Sequence, residues 1–452
     1  MKTLLIEKGH IIDPQNNIDG TANIFIKDGK IALLTEEFIE ADEIINAEGK
    51  IVCPGFIDIH MHEDPYDPAE DKLDKSIALS MLKMGVTTAI GGNCGDNVYD
   101  PQIYLDIIDK RGTATNLGLF AGHTYIRNKC GGHDKYSPVN NETLNKMVSL
   151  GEEYLSGGCF GISYGLKYIP GTTNIELTEM SKLCKSKDKL ITSHVRYDAS
   201  RVFEAVQEVA DLGEKLDLRV QISHIGSMGG YGQMTELLKI IEEYKFRGID
   251  ILCDCYPYNA FSTYIGETTY DDGFLEAYNA GYDSVLICDG KYAGMRCTKE
   301  IFEELRSTAP MTLTVGFFMK DEDVTEALLS PNVILGSDGV RNGDAGHPRA
   351  AGTFPRFISQ FVKTGRISLY DAINKMTAMP AKRLRLRNKG NFSAGSDADI
   401  VIFDYSKIQD KSTYEEPAKE PEGIDYVMLG GQIAVENGKV VNDSLGKSVR
   451  CV

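Results

Sequence analysis

Five of the eight histidines in this 452-residue chain stand just after short apolar runs that read as strands. His60 and His62 are two residues apart. Side chains at i and i+2 of a strand point the same way, so both imidazoles can reach one ion. That pair alone is equally compatible with packing or hydrogen bonding. His194 ends the run 190–194, and His224 ends the run 220–224. Two histidines at equivalent positions on consecutive strands, added to the first pair, point to a bound metal. Imidazole is the commonest ligand for zinc and similar ions. Asp338 ends the run 333–338. A carboxylate there can take a proton from an activated water and hand it to a leaving group. An Asp before a glycine also reads as a plain turn former. Cys94 lies in Gly91-Gly92-Asn93-Cys94-Gly95. Its thiolate would be a soft, tight ligand, and the flanking glycines fit close backbone approach whether or not it ligates.

These residues need elements that bring them together. Apolar runs at 55–59, 87–90, 116–120, 161–163, 190–193, 219–223, 249–254 and 332–336 read as eight strands. Most are followed by helical text, for example 144–154, 201–212, 234–244 and 369–376. Eight βα units predict an α/β fold built on a (β/α)8 TIM-like barrel, whose active sites gather at the C-terminal strand ends. The first fifty and last fifty residues read instead as short strands and hairpins, with turn signals at Asp28-Gly29, Gly430-Gly431 and Asn437-Gly438. Neither end is apolar enough to fold alone, so both termini are expected to share one small β-sandwich. The predicted units are residues 1–54 (sandwich), 55–389 (metal-dependent barrel, with an insertion near 259–331) and 390–452 (sandwich).

Composition excludes several classes. Apolar residues make up 42% and charged residues 25%, which is ordinary globular usage. The net charge of −18 repels phosphate backbones and acidic lipid, so no nucleic acid and no membrane partner is expected. The one short basic cluster, residues 382–387, reads as the solvated end of a helix. Ten scattered cysteines read as reduced thiols. No signal peptide or membrane-spanning run is evident, so the cytoplasm is the expected location. A homo-oligomer is compatible with the sequence, which does not fix the number of subunits. No phosphate-binding glycine loop and no GxSxG elbow are present.

The His60-x-His62 start, the two later histidines and the final Asp338 resemble the pattern of the amidohydrolase superfamily, over nearly the whole chain. Residues 53–58, 377–381, 389–390 and 395–400 look like that family's junctions between barrel and sandwich. Within it, residues 85–88 with 92–95, 122–127, 165–171, 256–263, 347–349 and 352–356 resemble the N-acyl-D-amino-acid deacylases (D-aminoacylases). The resemblance implies a zinc-dependent (Zn2+) hydrolase that cleaves small N-acyl-D-amino acids to a carboxylate and a free D-amino acid. It implies a tight zinc held by Cys94, His194 and His224. A second, weaker position would lie near His60, His62 and Asp338, with Cys94 able to bridge. It assigns Asp338 as acid/base. Tyr168, Ser262 and Arg349 would hold the substrate carboxylate and neighbouring polar atoms, with His123 or Tyr168 near the acyl oxygen. Arg349 suits a carboxylate because its planar fork pairs bidentately. The D stereochemistry rests on the resemblance alone. One departure is Gly226, where relatives often carry a lysine two positions after His224. The alternative is a cyclic-amide hydrolase, similar to dihydroorotases or hydantoinases, with Lys167 carboxylated as a bridging ligand. A barrel kept as a non-catalytic scaffold would be expected to lack some of the ligands.

Overall fold

The computed structural model describes residues 2–451. The eight apolar runs all become strands, here β1 (Phe56–Asp58), β2 (Val86–Gly91), β3 (Asn116–Leu119) and β4 (Gly161–Gly165). They continue with β5 (Leu190–His194), β6 (Val220–Ile222), β7 (Ile251–Cys255) and β8 (Val333–Leu335). Every residue of these strands is buried except Leu252, which is half-buried. Burial on both faces is why they read as continuous apolar runs rather than alternating ones.

All the pairings among them are parallel. β1, β2 and β3 form one sheet, and β4 to β8 form another, joined by Ala121–Gly122 just after β3. Helices follow in turn and cover the sheet, among them Asn141–Ser156, Val202–Leu216, Met234–Phe246 and Leu369–Met376. The first and last of these are capped by short polar side chains: that of Asn140 accepts from Thr143 N, and that of Ser368 from Asp371 N.

β8 and β1 do not share a ladder. Beyond their ends, Asp338 N donates to His60 O at 2.7 Å and His62 N donates to Gly339 O at 2.9 Å. Lower down, the Asp58 carboxylate replaces the ladder: its Oδ1 accepts from Ser337 N at 3.0 Å and from His60 N at 3.1 Å. β1 is only three residues long, so a side chain joins the strands where backbone pairing runs out.

The expected insertion is a three-stranded antiparallel sheet, Phe261–Tyr264, Val285–Ile287 and Leu313–Gly316, with an aromatic core that includes Phe274, Tyr282 and Phe302. Both termini join one nine-stranded sheet in which Ile51–Pro54 pairs with Ile400–Phe403. It has its own core of Leu4, Ile6, Ile24, Ile26, Ile400 and Ile402. The sheet curls until its two turns meet: Ala398 N donates to Gly29 O and Gly431 N donates to Ala398 O. Both termini thus build one curled sheet. No helix among the described residues is long and apolar enough to cross a membrane.

Arg383 departs from the reading of residues 382–387 as a solvated face. It is buried at the end of the helix Ala378–Leu384, where its Nη1 reaches Asp250 Oδ1 at 2.5 Å.

Asp399 fastens the terminal sheet to the central strands. Its carboxylate accepts from Asn116 of β3 at 3.1 Å, Gly430 N at 2.8 Å and Lys389 Nζ at 2.6 Å. Removing one partner of a buried ion pair strands the other. Asp399→Ala should therefore cost ~3 kcal/mol, the low end of that range because Asp397 keeps a contact with Lys389. A urea unfolding midpoint equal to that of the wild type would refute this anchoring.

Candidate metal centre

The candidate ligands sit where parallel strands end. His60 and His62 follow β1, His194 closes β5, and His224 and Asp338 lie just past β6 and β8. Cys94 follows β2 in a left-handed conformation with φ of 54°. Its loop lies against β4 so closely that a Cβ on Gly165 would meet Cys94 O at 2.1 Å. Glycine is required at that contact. His224 (φ 33°) and Asp338 (φ 49°) are also left-handed. Non-glycine residues hold such backbone at a cost of about 1–3 kcal/mol each, typically at functional sites.

Donor atoms of Cys94, His194 and His224 all lie within 4.8 Å of one another, and so do those of His60, His62, Cys94 and Asp338. Cys94 belongs to both groups. Its Sγ is 3.3 Å from His224 Nε2 and 3.5 Å from His60 Nε2. Asp338 Oδ1 is 3.1 Å from His62 Nε2 and 3.5 Å from His60 Nε2.

The electrostatics follow from this crowding. Burial pushes the Cys94 thiol up, but the charges of His224 and His60 outweigh it and hold the group well below an ordinary thiol. Burial likewise works against the Asp338 carboxylate, yet Arg349, His224 and His60 hold it well below the usual range. Burial disfavours the His62 imidazolium, but hydrogen bonds to Asp338 and Cys94 outweigh it and push His62 up to about 10. Burial and the charge of His224 lower His194, favouring the neutral imidazole that ligates metals. Two anions held this way call for positive charge beside them.

The donor set fits a metal on a second count. Both ring nitrogens of His194 are buried without a hydrogen-bond partner among the described residues. An unmet buried polar atom costs about 1–3 kcal/mol, so a pair of them on one ring marks a place for a ligand.

The centre opens into a cleft of about 650 Å³. Tyr168 and Ser262 line it, and the Tyr168 ring lies 4.6 Å from that of His194. Ser262 Oγ donates to Thr314 O at 2.8 Å, so toward a ligand it offers an acceptor. Arg349 is buried, with Nη1 2.9 Å from Asp338 Oδ2. That approach lacks hydrogen-bond geometry, and neither Nε nor Nη1 has a hydrogen-bond partner.

Two expectations fall elsewhere. His123 is not brought to the cleft: it is buried with Nε2 2.9 Å from Glu176 Oε1, a carboxylate it shares with Arg127. Lys167 is in neither donor group, because its Nζ pairs with Asp198 Oδ2 at 2.6 Å. Gly226 faces the core, where a Cβ would lie 2.7 Å from Cys255 Sγ.

Other residues around the centre were not singled out from the sequence. Ser227 Oγ is 2.9 Å from His224 Nδ1 and orients that ring. Tyr256 lies under the Arg349 guanidinium at 4.6 Å, with its hydroxyl buried and unpartnered. Asp254 accepts from His60 and from His224. An acid inside the apolar run 251–255 was the available signal.

Comparisons with known proteins agree with the site. The amidohydrolase family model matches residues 319–434. A D-aminoacylase of Alcaligenes xylosoxydans xylosoxydans is 30% identical, over 95% of this chain and 93% of its own. A dihydroorotase of Aquifex aeolicus (strain VF5) is 35% identical, over 98% of this chain and 99% of its own. Among solved structures, an N-acyl-D-glutamate deacylase from Bordetella bronchiseptica, complexed with zinc and a phosphonate inhibitor, superposes with a TM-score of 0.89. It is 25% identical and covers 100% of both chains. The chain belongs to the amidohydrolase family, and its metal-ligand pattern marks it as a metal-dependent hydrolase.

Proposed function

We propose that the protein is a zinc-dependent deacylase that hydrolyses the amide bond of N-acyl-D-amino acids to a carboxylate and a free D-amino acid. The observation that carries this reading is the single thiol, Cys94, shared by two donor groups beside a carboxylate and a buried arginine with spare donors. The D-aminoacylase relative and the zinc-containing deacylase structure support the substrate class and the metal.

Cys94, His194 and His224 would hold zinc tightly, and His60, His62 and Asp338 would form a weaker position sharing Cys94. When bound, zinc supplies Lewis acidity and lowers the pKa of a water from 15.7 toward ~7. Asp338, kept ionised by Arg349 and the histidines, accepts the proton of the attacking water. The Tyr168 hydroxyl donates to the acyl oxygen as negative charge builds on it. Asp338 then returns the proton to the amide nitrogen, and the C–N bond breaks to release the amine. Arg349, whose guanidinium lies against Asp338 behind the residues that line the cleft, would hold the substrate carboxylate from there. Ser262, whose hydrogen is engaged by Thr314, accepts from the substrate N–H.

The dihydroorotase likeness supports a second reading, ring-opening of a cyclic amide. Its carboxylated lysine would have to be Lys167, which is committed to Asp198 and outside both donor groups. That favours the linear amide. On the same reading the eight parallel strands close as a (β/α)8 barrel spanning 55–389, and the curled sheet of 1–54 and 390–452 acts as a β-sandwich. Ten free thiols accord with a reducing compartment such as the cytoplasm.

A screen of N-acetyl, N-formyl and N-succinyl D- and L-amino acids with zinc-loaded protein tests the function. Amine release confined to D substrates is expected. Turnover of dihydroorotate or hydantoin with none of the linear amides would overturn the reading. Asp338→Asn should lower kcat by about 10²–10⁴ while zinc content, measured by elemental analysis, stays close to wild type. Near-normal turnover would remove Asp338 as the acid/base. Cys94→Ala should lose the tightly held zinc on dialysis against chelator. Retention of one full equivalent would exclude the thiolate as its anchor.

A further inference from the structure

Behind the donor atoms lies a buried polar chain that the mechanism does not use. Asp254 on β7 is 1% exposed. Its Oδ1 accepts from His60 Nδ1 at 2.9 Å and from the His224 backbone N–H at 2.7 Å. Its Oδ2 accepts from Gln221 Nε2 at 3.0 Å. Gln221 Oε1 in turn accepts from Arg383 Nε at 3.2 Å, and Arg383 is anchored to Asp250 and to Val220 O. Asp254, Gln221 and Arg383 are buried, on β7, β6 and the helix Ala378–Leu384, and the chain ends at the exposed Asp250.

The two groups held by Oδ1 belong to different donor sets. His60 is in the set with His62 and Asp338, and His224 is in the set with His194. With its Nδ1–H given to Asp254, the His60 ring presents Nε2 at 3.5 Å from both Cys94 and Asp338. At His224 the bond acts on the backbone, which is held at φ 33°. The His224 ring is oriented separately by Ser227. Gly336, just past β8, leaves the room this requires: a Cβ there would lie 3.2 Å from the Cβ atoms of both Asp254 and His60.

We propose that Asp254 is a positioning residue that fixes one ligand in each half of the metal centre and so sets their separation. Both metal positions depend on it, whereas Ser227 acts on the His224 half alone. The inference rests on the metal-centre reading above and not on the identity of the substrate.

The test reads metal alone, on the full-length protein stripped and reloaded. In Asp254→Asn the amide must present a donor either to Gln221 or to His60 and His224. Zinc affinity, from competition with a chromophoric chelator, should fall about 10–100-fold for both equivalents. In the cobalt-substituted protein, the d–d bands and the thiolate-to-cobalt charge-transfer band should shift together. Ser227→Ala should weaken only the tighter equivalent. Gln221→Leu keeps the bonds from Asp254 to His60 and His224 and removes the donor to Oδ2 together with the acceptor of Arg383 Nε. It should weaken both equivalents by a smaller factor, and it decides the matter alone if Asp254→Asn does not fold. Wild-type affinities and an unchanged cobalt spectrum in a folded Asp254→Asn, or in Gln221→Leu should that be the deciding variant, would overturn the proposal. Loss of one equivalent only would do so as well. A wild type that binds neither zinc nor cobalt would sink the metal reading with it.

Discussion

Burying a thiolate and a carboxylate in one dry space is costly unless positive charge lies beside them. Cys94 and Asp338 are buried together, and three imidazoles and the Arg349 guanidinium crowd around them. His60 and His62 are drawn toward the protonated state because the anions demand compensation. A divalent cation answers the same demand with fewer charged side chains, and it also meets one of the two unpartnered nitrogens of His194. The remaining architecture serves to hold these like-charged and easily displaced groups at ligand spacing.

That spacing is stored in the backbone as much as in the side chains. Cys94, His224 and Asp338 each adopt a left-handed conformation immediately after a strand. Such a turn swings the side chain from the strand direction across the mouth of the sheet, and each is secured by a neighbour. Gly165 gives the Cys94 loop a flat surface, Asp254 takes the His224 N–H, and His60 O takes the Asp338 N–H. The parallel strands matter because their C-terminal ends share one face, so short excursions from five of them converge on one centre.

Much of this was legible in the order of residues. Strands buried on both faces leave uninterrupted apolar runs, and the candidate ligands end those runs, so both could be found without coordinates. His123 shows the limit of that rule. It also follows a strand-like run, but its imidazole turns to Glu176 and away from the cleft. Arg383 sits in a basic run that reads as solvated, yet it is buried, because Asp250 and the Val220 carbonyl stand opposite it in space. Lys167 carried the chemistry of a carboxylated ligand on paper, and only the partner 31 positions away, Asp198, removes it from consideration. The support residues Asp254, Gln221 and Ser227 were missed for a related reason. Their role is defined by which donors they meet, and those donors come from other strands. The gap between β1 and β8 is bridged by Asp58 reaching Ser337, 279 positions away.

Gly226 shows how closely the elements pack just past His224. In this chain the position is closed by Cys255 Sγ, so a long side chain would have to displace a strand residue packed directly behind the metal centre. Lys167 is likewise committed: its Nζ donates to Asp198, which also accepts from the Tyr278 hydroxyl. Arg349 remains as a buried cation with donors to spare, and it lies against Asp338. Its charge, with those of His224 and His60, holds the Asp338 carboxylate well below the usual range.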